Sequence, residues 1–335
     1  MLPELGEQKL RILVTGAGGP AGVAVIRSLQ HDPAVEIIAA DMDIYASGLY
    51  LVDRPRRWII PPGAADGFNT HILARCRAED IAIVIPTVDA EMLPLSTIRH
   101  RFTEAGIRIA MTSDDALRCT LDKFALARRC SGQLAVPRTE LLGDDLDARS
   151  WTYPVIVKPR SGSGSRGVRT VEDAAELHAL PRGDHEIVQE YLPGQEYSLD
   201  VLADEDGRVL AVVPRARLRV DSGVSVAGRT LHDPELDAIA RAVVRAVGLT
   251  LVSNVQVRLD RVGRPALLEV NPRFPGSMPL TVASGVDMPR LCLDAVCGRK
   301  LPTAVDHIDL VMVRFLEERF FDPATLPVEG KAVPA

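Results

Sequence analysis

Aromatic residues make up only 4% of the 335-residue chain, and neither sign of charge dominates, with a net charge of −6. So mild an acidic balance supplies no basic field for nucleic acid or an anionic membrane, and neither is expected as a partner. No apolar run is long enough to cross a bilayer, and the start of the chain lacks a signal-peptide pattern, so a cytoplasmic protein is expected. The five cysteines, Cys76, Cys119, Cys130, Cys292 and Cys297, are odd in number and form no CxxC pair. That excludes a disulfide framework and the usual zinc spacings; they read as reduced thiols, with Cys292 and Cys297 as core residues. The length, by contrast, gives room for two or three lobes with sizeable cores.

The most informative stretch is Ala266-Leu-Leu-Glu-Val-Asn-Pro272, followed by Arg273. A Val/Leu-rich run of this kind is a strand, and a two-residue period puts Glu269 and Asn271 on one face. Upstream, Asn254-Val-Gln-Val-Arg-Leu-Asp260 is a second strand, joined through a turn at Gly263. Pairing Asp260 with Pro265 predicts a hairpin with Gln256 opposite Glu269 and Asn254 opposite Asn271. Such a patch of oxygen donors, with Arg273 at its end, suits Mg²⁺, which favours one or two carboxylates plus substrate phosphates. The plain alternative is a solvated polar face of a half-buried hairpin.

At the other end of the chain, residues 9–15 form a strand, Gly16-Ala-Gly-Gly-Pro-Ala-Gly22 a turn, residues 23–30 a helix, and residues 35–40 a strand ending at Asp41. Free amides at a helix start favour an anion, and Asp41 stands where a dinucleotide fold holds a ribose. NAD binding and a turn that needs glycine only for packing both fit this stretch. Further strands at 81–86 and 107–111, with a helix over 97–106 between them, predict a doubly wound parallel sheet, at whose edge Thr87, Asp89 and Glu91 stand to touch a substrate or cap a helix.

In the middle of the chain, Thr112-Ser-Asp-Asp115 starts a helical region containing Asp122 and Lys123, the latter readable as a solvated lysine. Tyr153-Pro-Val-Ile-Val-Lys158-Pro-Arg160 is an apolar strand that ends in a lysine and runs into Ser161-Gly-Ser-Gly-Ser-Arg-Gly167. This order is not the Walker pattern; the strand lysine can reach a phosphate while the loop folds over it with amides and hydroxyls. Glu190, Tyr191 and Leu192 combine a polar strand end with an apolar wall suited to adenine, and Glu196 follows where a ribose could be held. Arg215, Arg217 and Arg219 alternate, predicting three guanidinium groups on one strand face, either solvated or facing an anionic transition state. Residues 234–247 are an amphipathic helix closed by Gly248, residues 289–297 another helix, and the chain beyond about 320 a strand remnant and polar tail.

Taken in order, Asp122-Lys123, Val157-Lys158-Pro159 with the 161–167 loop, Gln189 to Leu192 with Pro193-Gly194-Gln195-Glu196, Asn254-Val-Gln256 and Glu269-Val-Asn-Pro-Arg273 resemble the ATP-grasp superfamily. The likeness covers roughly residues 10–300 and is greatest to one synthetase unit of the carbamoyl-phosphate synthase large subunit and to stand-alone carboxylate–amine ligases. It implies an α/β architecture: a Rossmann-like pre-grasp domain with a parallel sheet (1–112), a small lobe with the phosphate loop (113–190), a core lobe with the Mg²⁺ site (191–320) and a C-terminal tail (321–335). It further implies that Lys123, Lys158, Ser161, Gly162, Ser163, Gly164, Ser165 and Gly167 hold ATP phosphates, and that Glu190, Tyr191, Leu192 and Glu196 hold the nucleoside. Gln256, Glu269 and Asn271 would hold two Mg²⁺ ions, for which Mn²⁺ can substitute, and Arg273, Lys158 and Arg217 would serve catalysis.

The implied reaction is that of an ATP-dependent ligase: a small carboxylic acid, amino-acid-like, is activated as an acyl phosphate and captured by an amine, with release of ADP and phosphate. Family precedent allows a homodimer. The chain shows no second synthetase half and no amidotransferase segment, so carbamoyl phosphate is not the expected product. Against the ligase stand an NAD-binding oxidoreductase built on the 16–22 turn and a non-catalytic ATP-binding protein.

Overall fold

The computed structural model describes residues 9–162, 164, 166–221, 223–323 and 326. Ser163, Ser165 and most of the 321–335 tail therefore lie outside the described residues.

Three sheets organise the chain. The first is parallel and contains β1 (Leu10–Thr15), β2 (Val35–Asp41), β3 (Arg57–Ile59), β4 (Ile83–Ile85) and β5 (Arg108–Ile109) in the order β3-β2-β1-β4-β5. Its strands are apolar on both faces because both faces are covered: Ile12 and Val14 enter one core, Leu13 and Ile38 the other. The first of these cores continues past helix Pro20–Leu29 into Leu251, Phe274, Met278 and Cys292, so the parallel sheet and the third sheet share one apolar interior.

The second sheet is antiparallel, with β6 (Thr139–Leu141), β7 (Val155–Pro159), β8 (Arg169–Val171) and β9 (Glu186–Glu190) in the order β6-β9-β7-β8. The third holds β10 (Glu196–Ala203), β11 (Val209–Asp221), β12 (Val224–Thr230), β13 (Leu251–Leu259), β14 (Pro265–Asn271) and β15 (Val311–Val313), ordered β14-β13-β10-β11-β12-β15. Helix Pro234–Val247 backs this sheet. Asp233 caps it by accepting from the Glu235 and Leu236 amides, Gly248 (φ 73°) ends it in the left-handed conformation, and Leu236, Ala240, Val243 and Val247 form its buried stripe. Helices Asp114–Thr120 and Lys123–Cys130 bury Ala116, Cys119, Leu126 and Cys130 in the same core.

Several local expectations need correction. The helix expected over 97–106 is two helices, Asp89–Thr97 and Arg99–Glu104, parted at Ile98; Asp89 and Glu91 in the first turn complement the helix dipole and start it earlier. The late strand lies at Val311–Val313 rather than beyond 320, where the described residues carry none. In the β13–β14 hairpin, Leu259 rather than Asp260 pairs with Pro265, yet Gln256 does face Glu269 and Asn254 does face Asn271. A bulge at Leu268 absorbs the one-residue difference.

Candidate functional site

One cleft of about 780 Å³ opens between the second and third sheets and reaches the rim of the parallel sheet. On its third-sheet wall stand Gln256, Glu269 and Asn271, with Arg273 beyond them. Strict alternation would put Leu267 beside Glu269; the bulge instead sends Leu267 to the core and brings Leu268 to the cleft. The Asn271 amide donates to Glu269 at 3.5 Å and the Gln256 amide to Asn254 at 3.4 Å, so three hard-oxygen groups converge there. That donor chemistry fits Mg²⁺, and the cleft volume fits a nucleotide beside it.

Behind this face lies a buried polar network that the sequence did not reveal. Asp200 is fully buried and grips Arg215 bidentately at 2.7 and 2.8 Å. It also accepts from Asn254 at 2.8 Å and from Thr281. Asn254 is thereby oriented from the sheet centre, and through it Gln256. Of the arginine row, Arg215 is buried, Arg217 pairs with Glu196 and donates to the Gly223 carbonyl at 2.9 Å, and both line the cleft. A bulge at Leu218 breaks the alternation, so Arg219 leaves the row and does not line the cleft.

The opposite wall carries Lys158, at the end of β7 and only 8% exposed, with its Nζ donating to Gln189 at 2.8 Å. Burial pushes its ammonium down to about 8; Glu269 and Glu196 oppose that shift and Lys123 adds to it. Lys123 donates to the Gly162 carbonyl at 2.7 Å, so it is tethered to the glycine loop rather than left in solvent. Asp122 caps that helix through the Phe124 and Ala125 amides and also binds Arg160, which roots the loop. Gly162 (φ 122°) takes a conformation closed to other residues. Ser161, Gly162 and Gly164 line the cleft with Arg166; Gly167 does not, and packs on Pro159 instead. Glu190, Tyr191, Leu192 and Glu196 line it too, joined by the apolar Ile156, Leu268 and Val220. Gln189, which holds Lys158, and Leu268 had no assigned role in the sequence reading.

At the parallel-sheet end, Arg273 and Asp89 form a bidentate pair at 2.7 Å across 184 positions of sequence. Thr87 lines the cleft, and its hydroxyl donates to the Thr15 carbonyl at 2.8 Å. Glu91 is buried away from the cleft, where it accepts from Thr15; burial pushes its carboxyl up to about 7, Thr15 opposing and Asp41 adding to the shift. The 16–22 turn is closely packed: Asp41 accepts from the Gly18 amide at 2.8 Å, and a Cβ on Gly18 would meet Ala46 at 2.7 Å. Asp41 is thus occupied within the turn, while Gly19, Pro20 and Ala21 border the cleft.

A parallel-sheet lobe docked on two antiparallel lobes, with a glycine loop facing an oxygen-donor wall, is the ATP-grasp fold. Residues 183–319 match the family described as "ATP-grasp in the biosynthetic pathway with Ter operon", and residues 12–110 match "PylC-like, N-terminal domain". The chain thus carries an ATP-grasp domain and a PylC-like N-terminal domain. It is 27% identical over 255 residues to the carbamoyl phosphate synthase large chain of Thermus thermophilus, covering 64% of this chain and 25% of that one. It is 34% identical over 164 residues to the D-alanine–D-alanine ligase of Gloeobacter violaceus, covering 41% of this chain and 53% of the ligase. The chain thus spans about a quarter and about half of these relatives' lengths.

Solved structures share the fold. N5-carboxyaminoimidazole synthetase from Staphylococcus aureus, complexed with ADP, superposes with a TM-score of 0.73 at 14% identity, over 93% of this chain and 84% of that one. The biotin carboxylase domain of Hydrogenobacter thermophilus 2-oxoglutarate carboxylase, a dimer in complex with MgADP and bicarbonate, gives 0.72 at 16% identity, over 89% and 72%. Among the described residues no helix is long and apolar enough to cross a membrane.

Proposed function

We propose that the chain is an ATP- and Mg²⁺-dependent carboxylate–amine ligase acting on an amino acid or a similar small carboxylic acid. The observation that carries this reading is the facing of two walls across one cleft: Lys158, Lys123 and the glycine loop on one side, Gln256, Glu269 and Asn271 on the other. In this reading Lys123, Lys158 and the loop amides bind the phosphates, Tyr191, Leu192, Ile156 and Leu268 enclose the base, and Glu190 and Glu196 take polar groups of the nucleoside. Two Mg²⁺ ions held by Gln256, Glu269 and Asn271 would neutralise charge on the transferring phosphoryl group.

A substrate carboxylate oxygen then attacks the γ-phosphorus and ADP departs. The unprotonated amine attacks the acyl carbon, inorganic phosphate leaves with the bonding pair, and the proton shed by the nitrogen goes to the departing phosphate. Arg273, held by Asp89, and Arg217, held by Glu196, present guanidinium N–H donors to these anionic transition states. The close packing of the 16–22 turn and the engagement of Asp41 count against a dinucleotide there.

The test is calorimetric titration of wild type and Glu269→Gln with MgATP and with NAD(H), followed by ADP release with carboxylate–amine pairs. Weakened MgATP binding and lost turnover in a folded variant, with NAD(H) silent in both proteins, is the expected result. NAD(H) binding, or ADP release undiminished by the substitution, would sink the proposal.

A further inference from the structure

We infer that a divalent transition-metal site, separate from the nucleotide cleft, is formed on the flank of the third sheet by His232, His307 and Asp309, with Asp306 as a further oxygen donor. One donor atom from each of His232, His307 and Asp309 lies within 4.8 Å of the others, and none of these residues lines the cleft. His307 carries the argument. Its ring is buried, at 6% exposure, and its Nε2 faces the Leu231 carbonyl at 3.2 Å. A ring nitrogen beside a carbonyl carries the proton, which leaves the lone pair on Nδ1; a backbone carbonyl fixing the second nitrogen is the usual setting of a ligating histidine. The Nδ1 faces Asp306 only at 3.8 Å, beyond hydrogen-bond reach.

His232 stands opposite. Its Nδ1 is 3.0 Å from Asp309 and its Nε2 3.3 Å from Asp306. The two imidazoles are stacked, with centroids 4.1 Å apart and planes at 6°, so the His307 Nδ1 lone pair runs alongside the His232 ring. His232, whose two nitrogens both donate to carboxylates, must release a proton to ligate. Coordination therefore requires the half-exposed His232 ring to turn out of the stack, while the exposed Asp306 and Asp309 carboxylates adjust. Two imidazoles with one or two carboxylates suit Zn²⁺ at four-coordination and are a poor set for Mg²⁺, in contrast to the all-oxygen wall of the cleft. Residues 306–309 belong to the segment that returns the chain to the sheet edge, where Thr230 and Leu310 pair and Arg314 then donates to the Gly276 carbonyl at the cleft rim. A bound ion would clip this return segment to the end of β12.

The experiment uses the full chain without a histidine tag, stripped by chelator and titrated with Zn²⁺ in excess Mg²⁺. One equivalent is expected to bind, with a loss of more than about tenfold in affinity in His307→Gln and in the surface variant His232→Asn, and MgATP binding unchanged in the latter. Co²⁺ in place of Zn²⁺ should give tetrahedral d–d absorption without a thiolate charge-transfer band, which separates this site from the cysteines. A wild-type chain that takes up no Zn²⁺, or uptake unaltered by His232→Asn, overturns the inference.

Discussion

Replacing Asp200 by Asn tests whether the network behind the oxygen-donor wall supports both fold and binding. The carboxylate is fully buried and Arg215 is 3% exposed, so the substitution strands a guanidinium without its counter-charge and turns one acceptor oxygen into a donor. Removing one partner of a buried pair costs about 3–5 kcal/mol, a large share of the roughly 5–15 kcal/mol that holds a native protein together. In a chain of this size that corresponds to a fall in melting temperature on the order of 10 °C. Urea midpoints compared at constant slope give the value directly. The exposed pair Arg108–Glu205 supplies the control: Glu205→Gln should cost no more than about 1 kcal/mol. MgATP affinity should fall in Asp200→Asn as well, because Asn254, and through it Gln256, lose their common anchor. The double substitution Asp200→Leu with Arg215→Met should recover the part of the loss due to the stranded charge but not the affinity, because the buried Asn254 and Thr281 still lose their acceptor. A loss in Asp200→Asn no greater than that of the surface control would refute the reasoning.

Two pH profiles follow from the buried charges. Lys158 titrates near 8 in the native chain against 10.5 when unfolded, so MgATP affinity should fall as pH rises through about 8, while native stability rises between 8 and 10.5 because the unfolded chain holds the extra proton. Lys158→Arg keeps the charge and should flatten the binding profile; a wild-type profile already flat above pH 8 contradicts the assignment. Glu91 has the opposite sign: its native carboxyl titrates near 7 against 4.5 unfolded, so stability falls as pH rises between these values, by about 3 kcal/mol in all. Glu91→Gln preserves a partner for Thr15 and should remove that slope, leaving the variant more stable than wild type at about pH 8 in urea titrations.

The polar face of the hairpin was legible because three signals coincide in a short stretch: period-two polarity, a glycine turn and strand-forming residues on both arms. Helix Pro234–Val247 was readable to its ends because Asp233 and Gly248 cap it. The bulge at Leu268 was not, since Leu267 and Leu268 are chemically alike and only packing decides which one enters the core. Arg219 was misplaced for a related reason: a bulge at Leu218 shifts the phase of an otherwise regular row. Strand Arg57–Ile59 and helix Phe68–Ala78 escaped notice because one is three residues long and the other has a polar, weakly periodic sequence. The pairing of Asp89 with Arg273 spans 184 positions, and nothing local to either residue announces the other.

The spare residue in β14 also determines which end of the hairpin sets the position of the chemistry. Between the 261–264 turn and Leu267 the two arms keep one register, and from Glu269 inward they keep another, anchored by Asn254 on Asp200. The oxygen donors are thus indexed from the middle of the sheet rather than from the loop. The hairpin has slack built in: a turn shorter by one residue can be met by closing the bulge, with only the outer arm changing register. The oxygen-donor trio would stay where it is, so the loop can shorten by that one residue without disturbing it.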